Sequence, residues 1–193
     1  MKSFVFITSH IHSGYSKLIE CLNVHPQCIF SDSEKTYDGI KHIEAAWKKP
    51  HKYNKSGAIY GDSLILNQDF SCYSLIDFCK FVYLIRNPRF VINNLIIVNH
   101  MKPHLACDLY AFRLRRLFEL ASKTKGAVFL EYADLKAGLP LIEHYLGLRS
   151  PLEPIDFPEV SFMDVCPYAV MKVAESTYER YHYKFSQLDL IKL

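Results

Sequence analysis

The chain lacks any stretch of the roughly 18 apolar residues that a membrane span requires. Its start, one lysine followed by a short apolar run, has neither the apolar core nor the small-residue cleavage site of a signal peptide. The six cysteines, Cys21, Cys28, Cys72, Cys79, Cys107 and Cys166, form no Cys-x-x-Cys pair and no zinc-type spacing with histidine, so buried free thiols and no metal are expected. A large excess of one sign of charge is missing as well. A net charge of +3 and a pI near 8.4 favour anionic ligands mildly but fall short of the clustered basic surface of a nucleic-acid binder. No internal repeat and no low-complexity segment is visible. These absences set the expectation of a cytoplasmic protein with no nucleic-acid partner and no membrane span.

What is present is a globular composition. Half of the residues are hydrophobic and 22% are charged, with 13 Phe and 13 Tyr, and 193 residues suit a single domain that buries its own core. The stretch around which the chain is organised is Phe4 to Leu22. It passes from an apolar, β-branched run through small and polar residues around Gly14 to apolar residues at helical spacing, which is a strand, a tight loop and a helix. The helix should run from about Ser13 to Asn23 and end at His25-Pro26, because proline disfavours helix in the residue before it. Residues 31 to 57, with two lysine clusters and one short amphipathic piece, read as a lid or insertion. Ala58-Ile59-Tyr60 reads as a short strand leading into a Gly61-Asp62-Ser63 turn, and Leu75 to Cys79 as a short helix. Phe81 to Ile85 is a continuous apolar run of the kind buried on both faces of a parallel sheet. Helices are expected from Val91 to about His100 and from Leu105 to Ser122, the latter with Arg113, Arg115 and Arg116 exposed. A strand from Ala127 to Leu130 precedes Glu131 to Asp134, and helices at Leu139 to Leu146 and Tyr168 to Tyr183 follow.

Strands alternating with helices predict an α/β fold, a three-layer α/β/α arrangement with a central, mainly parallel sheet. Ligands of such sheets bind beyond the carboxyl ends of the strands, and Gly14, Asp62, Arg86 and Asp134 are each expected just after a strand. A helix start with unpaired N–H groups suits an anion, typically phosphate. Arg86 suits phosphate too, although a solvent-facing arginine at a helix start fits the sequence as well.

Three segments taken together resemble the sulfotransferase family, enzymes that transfer a sulfuryl group from 3′-phosphoadenosine 5′-phosphosulfate (PAPS). The first is Ile11-His12-Ser13-Gly14-Tyr15-Ser16 with His25-Pro26 beyond it. The second is Leu84-Ile85-Arg86-Asn87-Pro88-Arg89, with Asn94 where the family has a serine. The third is Tyr132-Ala133-Asp134-Leu135 with Tyr145-Leu146-Gly147-Leu148. The resemblance implies a P-loop-like nucleotide-binding topology and PAPS as co-substrate, with no metal. It further implies that His12, Ser13, Gly14, Tyr15, Ser16 and Lys17 cradle the 5′-phosphosulfate, and that Arg86 and Asn94 hold the 3′-phosphate. The acceptor would be a small molecule, carbohydrate or peptide offering a hydroxyl or amine.

The departures are His12 in place of a permanent cation, Tyr15 in place of a small hydroxyl residue, and Asn94. Lys17 either supplies the missing charge or extends outward. In the family a carboxylate after the second strand, or a nearby histidine, takes the acceptor proton. The matching residue is Asp62, with His10 second and Glu34 a more distant third. Asp62 also fits a turn-capping aspartate. Trp47 is a candidate stacking residue. Tyr178, Tyr181 and Tyr183 form either an aromatic platform or part of the core. Two other readings compete: a module of the same fold that binds without catalysing, and a P-loop nucleotide kinase, which lacks its first glycine at Ser9 and its lysine at Tyr15.

Overall fold

A computed structural model describes residues 4–31, 59–65, 76, 78–153 and 163–193. The expected lid, Trp47, Glu34 and Cys72 lie outside the described residues. Five strands, β1 (Phe4–Ser9), β2 (Cys28–Ser31), β3 (Ile59–Ile65), β4 (Cys79–Ile85) and β5 (Val128–Glu131), form one parallel sheet in the order β2-β3-β1-β4-β5. Among the described residues five α-helices cover it: α1 (Tyr15–Val24), α2 (Pro88–Ile97), α3 (Pro103–Ala121), α4 (Leu135–Leu146) and α5 (Tyr168–Ser186).

The layers follow from the strand residues. Successive side chains point to opposite faces. In β1, Phe4 and Phe6 join Phe81, Tyr83, Ile85 and Phe129 beneath α2, α3 and α5. Val5 and Ile7 join Val82, Leu84, Val128 and Leu130 beneath α1 and α4. Both faces are buried, which explains why β1 and β4 read as continuous apolar runs rather than alternating ones. The open edge of β5 is covered by the chain end, where the Ile191 N–H donates to the Ala127 carbonyl and the Phe129 N–H to the Ile191 carbonyl. Pairing of this kind blunts an edge that would otherwise template association.

Several expectations need correction. The strand expected over residues 58 to 60 runs on to Ile65, and Gly61 lies inside it. A Cβ on Gly61 would fall 2.2 Å from the Phe30 ring and 2.6 Å from the Val5 carbonyl oxygen. Close packing, not a turn, requires the glycine. The four-residue edge strand β2 was not expected, being too short to show a period. Residue 79 begins β4 rather than ending a helix. Arg113 is 3% exposed, not on a solvent face. It stands three residues after buried Tyr110 and four before buried Leu117, which puts it on the inner stripe of α3. Among the described cysteines all are free, with Cys79 half-buried and the rest buried. No helix among the described residues is long and apolar enough to cross a membrane.

Asn93 holds the segment before α5 in place. Fully buried on α2, its Oδ1 accepts from the Val165 and Cys166 N–H groups at 3.1 and 3.0 Å, and its Nδ2 donates to Asp164 at 3.2 Å. Asn93→Ala strands the buried Cys166 donor and should destabilise the fold by about 2 kcal/mol, read as a lower urea midpoint. An unchanged midpoint would contradict this role.

Candidate functional site

The chain leaves β1 toward β2 on one side, and leaves β4 toward β5 on the other. The strand order therefore reverses between β1 and β4, and a crevice at their carboxyl ends is where ligands of parallel sheets bind. The loop after β1 is tight. The Ser13 N–H donates to the His10 carbonyl at 3.1 Å, and His12 and Gly14 both lie in the left-handed region, with φ of 60° and 91°. For a histidine that conformation costs on the order of 1 kcal/mol. Gly14 is the N-cap of α1, which has no side-chain cap. A Cβ at Gly14 would fall 2.1 Å from the ring of Tyr132, so only glycine lets the loop and the turn after β5 approach this closely.

Arg86 follows β4 directly. Its guanidinium carbon lies 3.2 Å from the centroid of the Phe90 ring and 3.7 Å from that of Tyr132, and Nη1 donates to the His12 carbonyl at 3.4 Å. Burial pushes its pKa down to about 10, opposed by Tyr132, so it remains a cation at neutral pH. The loop, Arg86 and Tyr132 thus converge, whereas Asp62 is set back within β3 and Asp134 lines a cavity at the β5 edge.

His10 lies at the end of β1, fully buried, with its ring 5.2 Å from that of Tyr110. Its Nδ1 donates to the Ile11 carbonyl at 3.2 Å, which assigns the proton to Nδ1 and leaves Nε2 as a lone pair without a partner among the described residues. Burial above all, together with Arg113, His12 and Arg86 nearby, lowers its pKa from the ordinary 6.5 to about 4. The Thr8, Ser9 and Ser13 hydroxyls are likewise buried without partners. Buried polar groups normally find hydrogen bonds. Four unsatisfied ones clustered at one strand end, beside two arginines, suit an anionic ligand rich in acceptors.

The remaining candidates stand elsewhere. Asp62 lies within β3 opposite Phe6, 1% exposed, its Oδ1 accepting from the Ser63 N–H at 2.8 Å. That is three residues, roughly 10 Å, before the end of β1. The Lys17 ammonium pairs with Glu20 at 2.7 Å on the outer face of α1, which matches the outward alternative. His12 Nε2 donates to Asn99 Oδ1 at 2.9 Å, and Asn94 Nδ2 to the Phe90 carbonyl at 2.7 Å. Tyr15 is half-buried against the α1 side of the core, and Ser16 is exposed. The three late tyrosines serve separate purposes: Tyr178 donates to Glu131, Tyr181 packs on Phe118, and Tyr183 is exposed. Sequence reasoning missed Arg113 and Tyr110, whose hydroxyl donates to the Arg86 carbonyl at 3.0 Å. The three-residue spacing from Tyr110 was the available signal for Arg113.

The parallel order and the flanking helices make an α/β fold consistent with the P-loop-like fold of the sulfotransferases. The chain superimposes on the crystal structure of mouse sulfotransferase SULT7A1 complexed with PAP, with a TM-score of 0.56 and 15% identity over 92% of this chain. It spans 64% of that structure's length. No protein-family model and no curated protein matches the sequence.

The His10 environment makes a pH-dependent prediction. The folded chain protonates His10 only near pH 4, the unfolded chain near 6.5, so stability falls as pH drops through that window, by about 1.4 kcal/mol per unit. Between pH 7 and 5 the parent should lose about 2 kcal/mol more than His10→Asn in urea unfolding. Equal losses would contradict the burial of a neutral imidazole.

Proposed function

We propose that the chain is a PAPS-dependent sulfotransferase acting on a hydroxyl or amine acceptor. The observation that carries this reading is the cluster of unsatisfied buried groups at Thr8, Ser9, His10 and Ser13 beside Arg86 and Arg113, in a fold shared with a PAP-bound sulfotransferase. In this reading the amides and hydroxyls from His12 to Lys17 take the 5′-phosphosulfate, while Arg86, with Asn94 beyond it on α2, takes the 3′-phosphate. Fixed dipoles suit the group whose charge shifts during transfer, and a guanidinium suits the spectator phosphate.

Of the two candidate bases, His10 is the better placed. It adjoins the loop and keeps a free lone pair, whereas Asp62 lies deeper in the sheet. A pKa near 4 makes a weak base, but an anion seated in the loop would favour the imidazolium and raise it. Metal chemistry is not part of the reading. No group of three metal-ligating side chains is found among the described residues.

A second reading is a binding module without catalysis. It is favoured by the engagement of Lys17 with Glu20 and of His12 with Asn99, which turns both side chains toward protein partners.

Calorimetry separates these readings. PAP should bind, and Arg86→Lys should weaken PAP at least tenfold while changing AMP, which has no 3′-phosphate, far less. PAPS turnover on a panel of hydroxyl and amine acceptors should accompany binding. Binding without turnover supports the module, and no binding of PAP contradicts both readings.

A further inference from the structure

At the outer edge of β5, away from the β1–β4 crevice, lies a cavity of about 180 Å³. Its apolar lining comes from Phe129, Leu193 and the β5 chain at Leu130, and its polar lining from Glu131, Asp134, His182, Ser186 and Lys192. What such a cavity accepts depends on which of these groups still has a hydrogen to give.

Very few do. Glu131 is a carboxylate whose two oxygens accept from Tyr178 and from His182 Nε2, the latter at 2.5 Å. A carboxylate oxygen accepts only, so Nε2 of His182 carries a proton, and in the neutral imidazole Nδ1 is a lone pair with no partner among the described residues. The Ser186 hydroxyl spends its hydrogen on the Tyr183 carbonyl at 2.7 Å. Lys192, the cation of the set, is turned onto the end of α5, where its ammonium donates to the Ser186 and Leu188 carbonyls at 2.8 and 2.9 Å. Asp134, three residues beyond Glu131, does not cap α4 and has no hydrogen-bond or ion-pair partner among the described residues. The side chains therefore present unused acceptors, one of them a full negative charge, above an apolar floor.

From this we infer a second ligand site at the β5 edge, for a small organic cation: a primary ammonium on an apolar body. The ammonium brings three donors to a lining that has acceptors to spare, shared between the Asp134 carboxylate and His182 Nδ1, with Phe129 and Leu193 against the body. Anions are disfavoured, since they would meet two carboxylates against the single lysine, whose ammonium is turned onto the end of α5. A cavity of about 150 Å³ takes benzene, so this one takes a single ring with a short aminoalkyl arm. Glu131 acts as a positioning residue, holding His182 in the tautomer that keeps Nδ1 free. The site uses no residue of the loop after β1 and stands whether or not a nucleotide binds there.

Calorimetric titration of the full chain with 2-phenylethylamine at pH 7.5 tests it. The expected result is saturable one-to-one binding, at least tenfold weaker for phenylacetate, which reverses the charge on the same ring. Asp134→Asn, at an exposed position, should weaken the amine at least tenfold, with the thermal midpoint recorded to confirm folding. Absence of saturable amine binding, equal affinity for phenylacetate, or an unaltered affinity in Asp134→Asn would each overturn the site. The comparison of the two ligands is made on the parent chain and does not depend on any variant folding.

Discussion

The guanidinium of Arg86 lies between the rings of Phe90 and Tyr132, and the same Tyr132 ring closes over Gly14. One stack thus ties the ends of β1, β4 and β5 together and fixes the loop against the start of α1. Cation–π contacts of this kind strengthen when desolvated, and burial has already lowered the Arg86 pKa. The cost of holding a partly dry cation is tolerable where an anion can approach from the open side. The glycine is equally constrained, because its positive φ and the ring above it both exclude a side chain.

Beneath that stack the charge is one-sided. Arg113 is buried on α3, and its field, with those of His12 and Arg86, acts on the buried His10 imidazole. Hydroxyls of Thr8, Ser9 and Ser13 surround the same strand end without partners. Protein interiors seldom leave several polar groups unsatisfied side by side, and functional sites are where they do. The β5 edge, two strands away, has the opposite character, a cavity of acceptors around Glu131 and Asp134. The carboxyl side of a single sheet therefore presents one region suited to anions and another suited to a cation.

Much of the fold was legible because β1, β4 and β5 bury both faces and read as unbroken apolar runs, and because Pro26, Gly147 and the proline at the start of α2 punctuate the helices. The positions of Gly14 and Arg86 beyond the ends of β1 and β4 were legible because each follows such a run. Asp62 was misplaced for a physical reason. A Gly-Asp-Ser triplet reads as a turn, yet Gly61 is required by the Phe30 ring in the neighbouring strand, a contact between residues far apart in sequence. Arg113 was misread because charge outweighed its position on the inner stripe of α3. The Glu131–His182 pair joins residues 51 positions apart and leaves no local signature.

The central claim, that the crevice between β1 and β4 is a nucleotide site organised by Arg86, is tested most directly by a crystal structure of the chain with PAP. The account predicts the 5′-phosphate on the amides between Ser13 and Lys17 and the 3′-phosphate within hydrogen-bond reach of Arg86. A nucleotide seated elsewhere, or a 3′-phosphate remote from Arg86, would contradict it.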